Sequence, residues 1–185
     1  MPADPMTSLW ADAAMPGGLR WRTLSPADAP LVVEATSEET APALWGPRPV
    51  GPYTLADAGN ALREWDPDGG ELASYGILRD DRLLAAFGLM CEPAQIAEVA
   101  YWVPPRHRRQ GLASAGLRFL TDWALTSAGF RGLWLEIDPT NPASVGVAER
   151  AGYRFDRRIP GHCRSWADED PAHDTRHDCL IWVNP

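Results

Sequence analysis

Four arginines, Arg106, Arg108, Arg109 and Arg118, stand between Val99 and Thr121 without one acid among them, in a chain whose charge otherwise runs the other way. Three fall in the stretch EVAYWVPPRHRRQGLAS (98–114), where a strand-like run stops at Pro104-Pro105 and a glycine-containing turn enters a long helix-like segment. The first turn of a helix presents backbone N–H groups without partners and a partial positive charge, so this arrangement suits a phosphate-bearing ligand. Gly111 takes away a side chain that would hold the ligand off the backbone, and Ala113 is small. The same residues also read as a solvated basic loop ahead of a helix, because charge clusters alone are usually that. No Gly-Lys-Ser/Thr follows, so it is not a Walker loop, and the glycines are too few for a dinucleotide fingerprint.

Arg108-Arg109-Gln110-Gly111-Leu112-Ala113 resembles the Q/R-x-x-G-x-G/A signature of the GNAT acyltransferase superfamily. A second segment, LWLEIDPTNPASVGVAERAGYRF (133–155), resembles the strand, Asn-x-x-Ser/Ala helix and Gly-aromatic ending of the same family. AEVAYWV together with N-x-x-S is most similar to the RimJ/RimL branch, which acts on ribosomal-protein N-termini. The resemblance spans roughly residues 19–183. It implies acetyl-CoA as cosubstrate and a mixed α/β fold, with a central twisted sheet flanked by helices. Two central parallel strands, 98–103 and 133–137, would splay apart to hold the thioester. The pyrophosphate would sit on backbone N–H groups from Arg109 through Gln110, Gly111, Leu112 and Ala113 to Ser114, with Arg108 beside it. The pantetheine arm would pair with backbone near Val103, and Asn141 matches a cofactor-contacting position.

Direct transfer of an acetyl group to an amine needs a base for the amine proton and support for the departing thiolate. Glu98 and Glu136 match places where family members carry the base; each alone also reads as a half-buried carboxylate paired with an arginine. The tyrosine that usually acts as acid is replaced by Ala148. Ser144, three residues after Asn141, supplies a hydroxyl near the expected sulfur, or else caps backbone in the first helical turn. Tyr101 is a second candidate, although alternation sends it to the face opposite Glu98.

These residues need a scaffold, and the hydrophobic pattern supplies one. Leu19–Leu24 alternates as a strand; Ser25-Pro26 opens a helix that runs to about Thr36. The segment 40–52, rich in proline, is irregular. Residues 54–65 read as a helix, 73–78 and 83–90 as a hairpin, and 98–103 as a third strand. Residues 111–127 form the strongest helix, 133–137 a strand, and Asn141-Pro142 caps a short helix ending at Gly152. Residues 153–157 and 179–183 close the sheet around a long polar loop. The expectation is one domain over 19–185, preceded by a loosely held arm over 1–18.

Composition limits the partners. All 17 basic residues are Arg against 25 acids, a net charge of −8. An acidic chain is a poor general binder of nucleic acid and a better host for a cationic amine. No apolar run reaches the ~20 residues of a membrane span, and no signal peptide is recognisable. Cys91, Cys163 and Cys179 are too few and too scattered for a disulfide framework, which points to the cytoplasm. His162, Cys163, His173, His177 and Cys179 lack a zinc-like spacing, so no metal is expected. In the resembling fold the acidic run SWADEDPAHDTRHD (165–178) borders the acceptor side, where it would draw in an ammonium, though it reads more simply as a solvated loop; Trp45 and Trp166 read equally as acceptor-pocket walls or as core. A protein N-terminus and a small amine both remain acceptors. A non-catalytic acyl-CoA-binding module is the alternative, and a homodimer is left open.

Overall fold

The computed structural model describes residues 8–47, 49–165, 170 and 172–184. Eight strands form one sheet in the order β1-β2-β3-β4-β5-β6-β8-β7. They are β1 (Asp12–Met15), β2 (Leu19–Thr23), β3 (Leu72–Arg79), β4 (Arg82–Glu92), β5 (Ile96–Trp102), β6 (Gly132–Ile137), β7 (Arg154–Arg164) and β8 (Arg176–Val183). Four α-helices accompany them: α1 (Ala29–Thr36), α2 (Leu55–Glu64), α3 (Leu112–Thr126) and α4 (Pro142–Ala151). This is the mixed α/β sheet flanked by helices that the resemblance implies. All its neighbours are antiparallel except β5 and β6.

Two apolar layers hold the sheet between the helix pairs. On one face α3 and α4 place Leu117, Leu120, Ala124 and Ala148 against Phe87, Leu89, Val99 and Leu135. On the other, α1 and α2 bring Val32, Ala35, Ala58 and Leu62 onto Ala86 and Trp102. Each fully buried aliphatic or aromatic side chain contributes ~1.5–3 kcal/mol, so these layers dominate stability. The cap on α2 is as the sequence suggests: Thr54 Oγ1 accepts from the Asp57 N–H, while the Asp57 carboxylate accepts from the Thr54 N–H. Gly152, at φ 91°, ends α4.

Two expectations are corrected. Within the segment read as a loose arm, Asp12–Met15 pairs with Leu19–Arg22 across a turn in which Gly17 and Gly18 take φ 77° and 72°. Leu9 is buried, its carbonyl accepts from the Tyr75 hydroxyl at 2.9 Å, and Trp10 Nε1 donates to Asp68. A four-residue, alanine-rich strand carries too little alternation to be seen by pattern, and its glycines registered as composition rather than as a turn. The long polar loop is the second. β7 and β8 run well past 157 and start before 179, as a hairpin whose outer part is held by Arg158–Asp178 and Arg164–Asp174 ion pairs. Polar cross-strand pairs stabilise such a ribbon without any apolar period.

Candidate active site

β5 and β6 pair in parallel over only Ile96–Gly132, Ala97–Leu133 and Glu98–Trp134. Beyond Glu98 the two strands part, as the resemblance implies. A cavity of about 610 Å³ lies at this gap on the α3/α4 face. Its walls include Tyr101, Val103, Arg109, Asn141, Ser144 and Arg150. Gly111 caps α3 at φ 79°, a left-handed conformation that a side chain would strain, and a Cβ there would meet open space. Arg109 shares the left-handed region at φ 59°. The bend this makes turns the first turn of α3, Leu112 through Ser114, toward the cavity. Its N–H groups have no intrahelical acceptor and suit an anion.

The arginines of the loop divide the work. Arg106 Nη2 donates to the Glu34 carbonyl at 2.9 Å, and Gln110 Nε2 donates to the Arg106 carbonyl at 3.2 Å, so both tie the loop to itself and to α1. Arg108 Nε donates to the Val103 carbonyl at 3.0 Å and its Nη2 to Glu39 at 2.6 Å. Arg108 therefore braces the loop as well as lining the cavity. The Val103 carbonyl is thereby engaged, and Val103 itself lines the cavity. Glu39, 2% exposed, accepts from Trp102 Nε1 at 2.8 Å and from the N–H groups of Thr40 and Ala41. Arg150, in the last turn of α4, donates to Ser114 Oγ at 3.3 Å and joins the cavity wall. Glu39 and Arg150 escaped the sequence reading. Nothing in the spacing ties Arg150 to the first turn of α3, or Glu39 to a loop 69 residues on.

Glu98 and Glu136 lie on the opposite face of the same gap. On β5, Ala97, Val99 and Tyr101 belong to the α3/α4 layer, so Glu98 alternates to the other side with Ala100 and Trp102. Glu136 sits between Leu135 and Ile137 of the α3/α4 layer and likewise points away from it. Burial pushes the Glu98 carboxyl up to about 7, and the charges of Glu136 and Glu92 add to the effect. A trough of about 450 Å³ opens on this face, walled by Ile96, Trp134, Ile159, Ile181 and Val183, with Glu92, Glu136, Arg157 and His162 as its charged or titratable lining. Glu92 accepts from Trp134 Nε1 at 2.9 Å.

On the cavity side, Asn141 Oδ1 accepts from the Ser144 N–H at 3.1 Å and caps α4. That leaves the Ser144 hydroxyl without a protein partner among the described residues, although it lines the cavity. The Tyr101 hydroxyl donates to the Ser144 carbonyl at 3.2 Å, and burial raises its proton affinity. Ala148 is buried in α4. Both hydroxyls therefore stand on one wall of the cavity, across the gap from Glu98. If Ser144 donates to the departing sulfur, as the resemblance implies, Ser144→Ala should lower kcat about tenfold while leaving acetyl-CoA affinity within twofold. Unchanged kcat in steady-state assays with a saturating amine would remove Ser144 from the chemistry.

The remaining sequence candidates fare differently. Trp45 is buried beside Tyr53 and Trp102 in the α1/α2 layer, a core role rather than a pocket wall. Trp166 lies outside the described residues. Of the acidic run, Asp174 pairs with Arg164, Asp178 with Arg158, and Asp170 with His173. The described acids of the rim are thus held by the hairpin's own arginines and His173. His177 Nε2 lies 3.1 Å from Asp138 and His162 Nε2 3.4 Å from Glu136. Cys163 and Cys179 are joined as a disulfide, against the expectation of unpaired thiols. The β7–β8 pairing, invisible in the spacing, brings them together.

Residues 19–154 match the family model described as an acetyltransferase (GNAT) domain. No curated protein sequence matches the chain. Solved structures of similar fold include an acetyltransferase from Salmonella typhimurium described as modifying the N-terminal serine of ribosomal protein L7/L12. It is 16% identical, covers 94% of this chain and 98% of its own, and has a TM-score of 0.75. A chimera of a spermidine N-acetyltransferase from Vibrio cholerae with hSSAT is 14% identical, with 91% and 95% covered and a TM-score of 0.69. The microcin C7 self-immunity acetyltransferase, solved with acetyl-CoA and AMP, is 10% identical, with 91% and 92% covered and a TM-score of 0.71.

Proposed function

The chain belongs to the GNAT acetyltransferase family, whose members use acetyl-CoA, and on that premise we propose that it transfers an acetyl group directly from the thioester to a primary amine. The observation that carries this reading is the two-sided gap between β5 and β6. A basic, N–H-rich cavity opens on one face; on the other, Glu98 and Glu136 stand at the mouth of the gap, beside an apolar trough that lies over the paired part of β5 and β6. The phosphates bind the first turn of α3 with Arg109 and Arg150, and backbone near Val103 holds the amide-bearing arm. The amine enters from the trough as an ammonium. Glu98 takes its proton, because a carboxyl that titrates near 7 is ionised and still basic enough at neutral pH. Glu136 and Glu92 offer the incoming ammonium a negative field. The neutral amine attacks the thioester carbonyl, the C–S bond breaks, and the thiolate leaves toward the hydroxyls of Ser144 and Tyr101.

The apolar walls of the trough favour an amine carried on an apolar or aromatic group. A protein N-terminus whose first side chains are apolar and an apolar small-molecule amine both meet that description. No described helix is long and apolar enough to cross a membrane, and a cytoplasmic setting, where acetyl-CoA is made, fits the reaction. Ala148, at the position of the usual tyrosine acid, is the one observation favouring a non-catalytic acyl-CoA-binding module. Free-CoA release with a panel of N-terminal peptides and small amines separates the two. Amine-dependent release supports the enzyme; tight acetyl-CoA binding with no release from any amine supports the module.

A further inference from the structure

The disulfide reaches the site from the β7–β8 hairpin. Cys163 on β7 and Cys179 on β8 have Cα atoms 6.1 Å apart, within the span of a disulfide. The strand register breaks between Ile159 and Cys163, and that irregularity brings the pair together. Cys179 is fully buried, whereas Cys163 is half-buried. Glu136 lies on the adjacent strand β6, and its Oε1 is 2.7 Å from Cys163 Sγ, a distance at which a thiol would donate a hydrogen bond. Its other oxygen faces His162 Nε2 at 3.4 Å. A disulfide sulfur has no proton to give, so Glu136 has one fewer donor when the pair is oxidised. The same carboxylate forms part of the trough.

We propose that Cys163–Cys179 is a thiol–disulfide exchange site for low-molecular-weight thiols, and that its state governs how strongly Glu136 holds the acceptor ammonium. The exchange begins at Cys163, the accessible sulfur. An incoming thiolate bonds to Cys163 Sγ, the Sγ–Sγ bond breaks, and its electron pair leaves on Cys179, which takes a proton. A second thiolate attacks the external sulfur of the mixed disulfide, releasing Cys163 as a thiol and the small molecule as its own disulfide. Two small thiols are oxidised and one protein disulfide is reduced. The reduced Cys163 then donates to Glu136 and competes with the ammonium. The mixed disulfide formed on the way puts its adduct beside the trough. In a reducing cytoplasm such a bond is transient and regulatory rather than structural.

The effect on catalysis rests on the acceptor reading above; the exchange site itself does not. The purified full chain, air-oxidised and then unfolded, should expose one titratable thiol, Cys91, and three after reduction. Reduction should raise KM for the amine about threefold to tenfold, as expected for one competing hydrogen bond to a charged group, with kcat within twofold. Cys163→Ala should show the low KM of the oxidised form whether or not reductant is present, and Cys91→Ser should keep the full response. Three titratable thiols after oxidation would overturn the exchange site. So would stoichiometric zinc on the reduced chain, lost in Cys179→Ser, because Glu136, Cys163 and Cys179 bring ligand atoms within 4.8 Å of one another and would then be a metal site. A confirmed disulfide whose reduction leaves KM unchanged would overturn the control of Glu136. If Glu136→Gln also left KM unchanged, the acceptor reading itself would fall.

Discussion

Replacing Glu98 by glutamine is expected to lower kcat by about 10²–10⁴-fold, the range for loss of a positioned general base, with acetyl-CoA affinity within twofold of the wild type. Glutamine keeps the size of the side chain and cannot take the amine proton. The cofactor cavity lies on the other face of the sheet, so its contacts stay intact. The wild-type pH profile of kcat/KM should rise through an acid limb near 7, where Glu98 loses its proton, and the variant should lose that limb. Stability gives an independent reading. The folded Glu98 carboxyl binds its proton more tightly than the ordinary 4.5. The folded state therefore holds the extra proton between about 4.5 and 7, and stability falls as pH rises through that window. Glu98→Gln should flatten this slope in urea unfolding, whatever happens to activity. A variant with wild-type kcat would pass the base role to Glu136.

Glu39→Ala is the second large effect. Four donors converge on this nearly inaccessible carboxylate: Trp102 Nε1, the Arg108 guanidinium and two backbone N–H groups. Removing it leaves the buried indole without an acceptor, at ~1–3 kcal/mol, and frees the Thr40 and Ala41 N–H groups, which belong to exposed residues, to turn to water. A stability loss of about 1–3 kcal/mol is expected, measured as a lower urea midpoint at unchanged m-value. Arg108 itself is half exposed, so its ion pair adds little on its own. The functional cost comes through position. Without Glu39, Arg108 loses half of its brace and the loop between Val103 and Gly111 loosens. Acetyl-CoA affinity should fall about tenfold, roughly 1.4 kcal/mol. Arg108→Ala removes a charge as well as the brace, so its loss of affinity should shrink as salt rises. The loss in Glu39→Ala should depend much less on salt. Equal salt dependence in the two would mean that bracing contributes nothing.

The parts of the fold that repeat a strong period were legible. Leu112, Leu120 and Ala124 of the expected α3 stripe are buried, Leu117 joins them, and Phe119 and Trp123 are only half-buried; Asn141-Pro142 with Gly152 brackets α4 within a residue. The parallel pair and its gap followed from the two motifs, and the register bears the gap out. What stayed hidden depends on contacts far apart in sequence. β1 is too short to show alternation, and the β7–β8 ribbon is held by Arg–Asp pairs rather than by an apolar face. Glu39 read as one acid among many, because its meaning comes from Trp102 and Arg108 across the fold. The acidic run near the C-terminus reads in sequence as a solvated loop or an acidic rim; in three dimensions its described acids hold the hairpin's own arginines and histidine. The net charge of −8 therefore says less about the acceptor than the three carboxylates Glu92, Glu98 and Glu136 do.

The central claim is that the acetyl group crosses the gap between β5 and β6 in one step, from a thioester on one face to an amine on the other. A single-turnover reaction, quenched over time and weighed by mass spectrometry for both protein and small molecules, tests it most directly. Acetyl-CoA bound to excess enzyme should stay intact without amine. On mixing with amine, free CoA and acetylated amine should appear together in equal amounts, with the protein mass unchanged throughout. An acetylated protein that builds up before amine is added, or CoA released without acetylated amine, would contradict direct transfer through that gap.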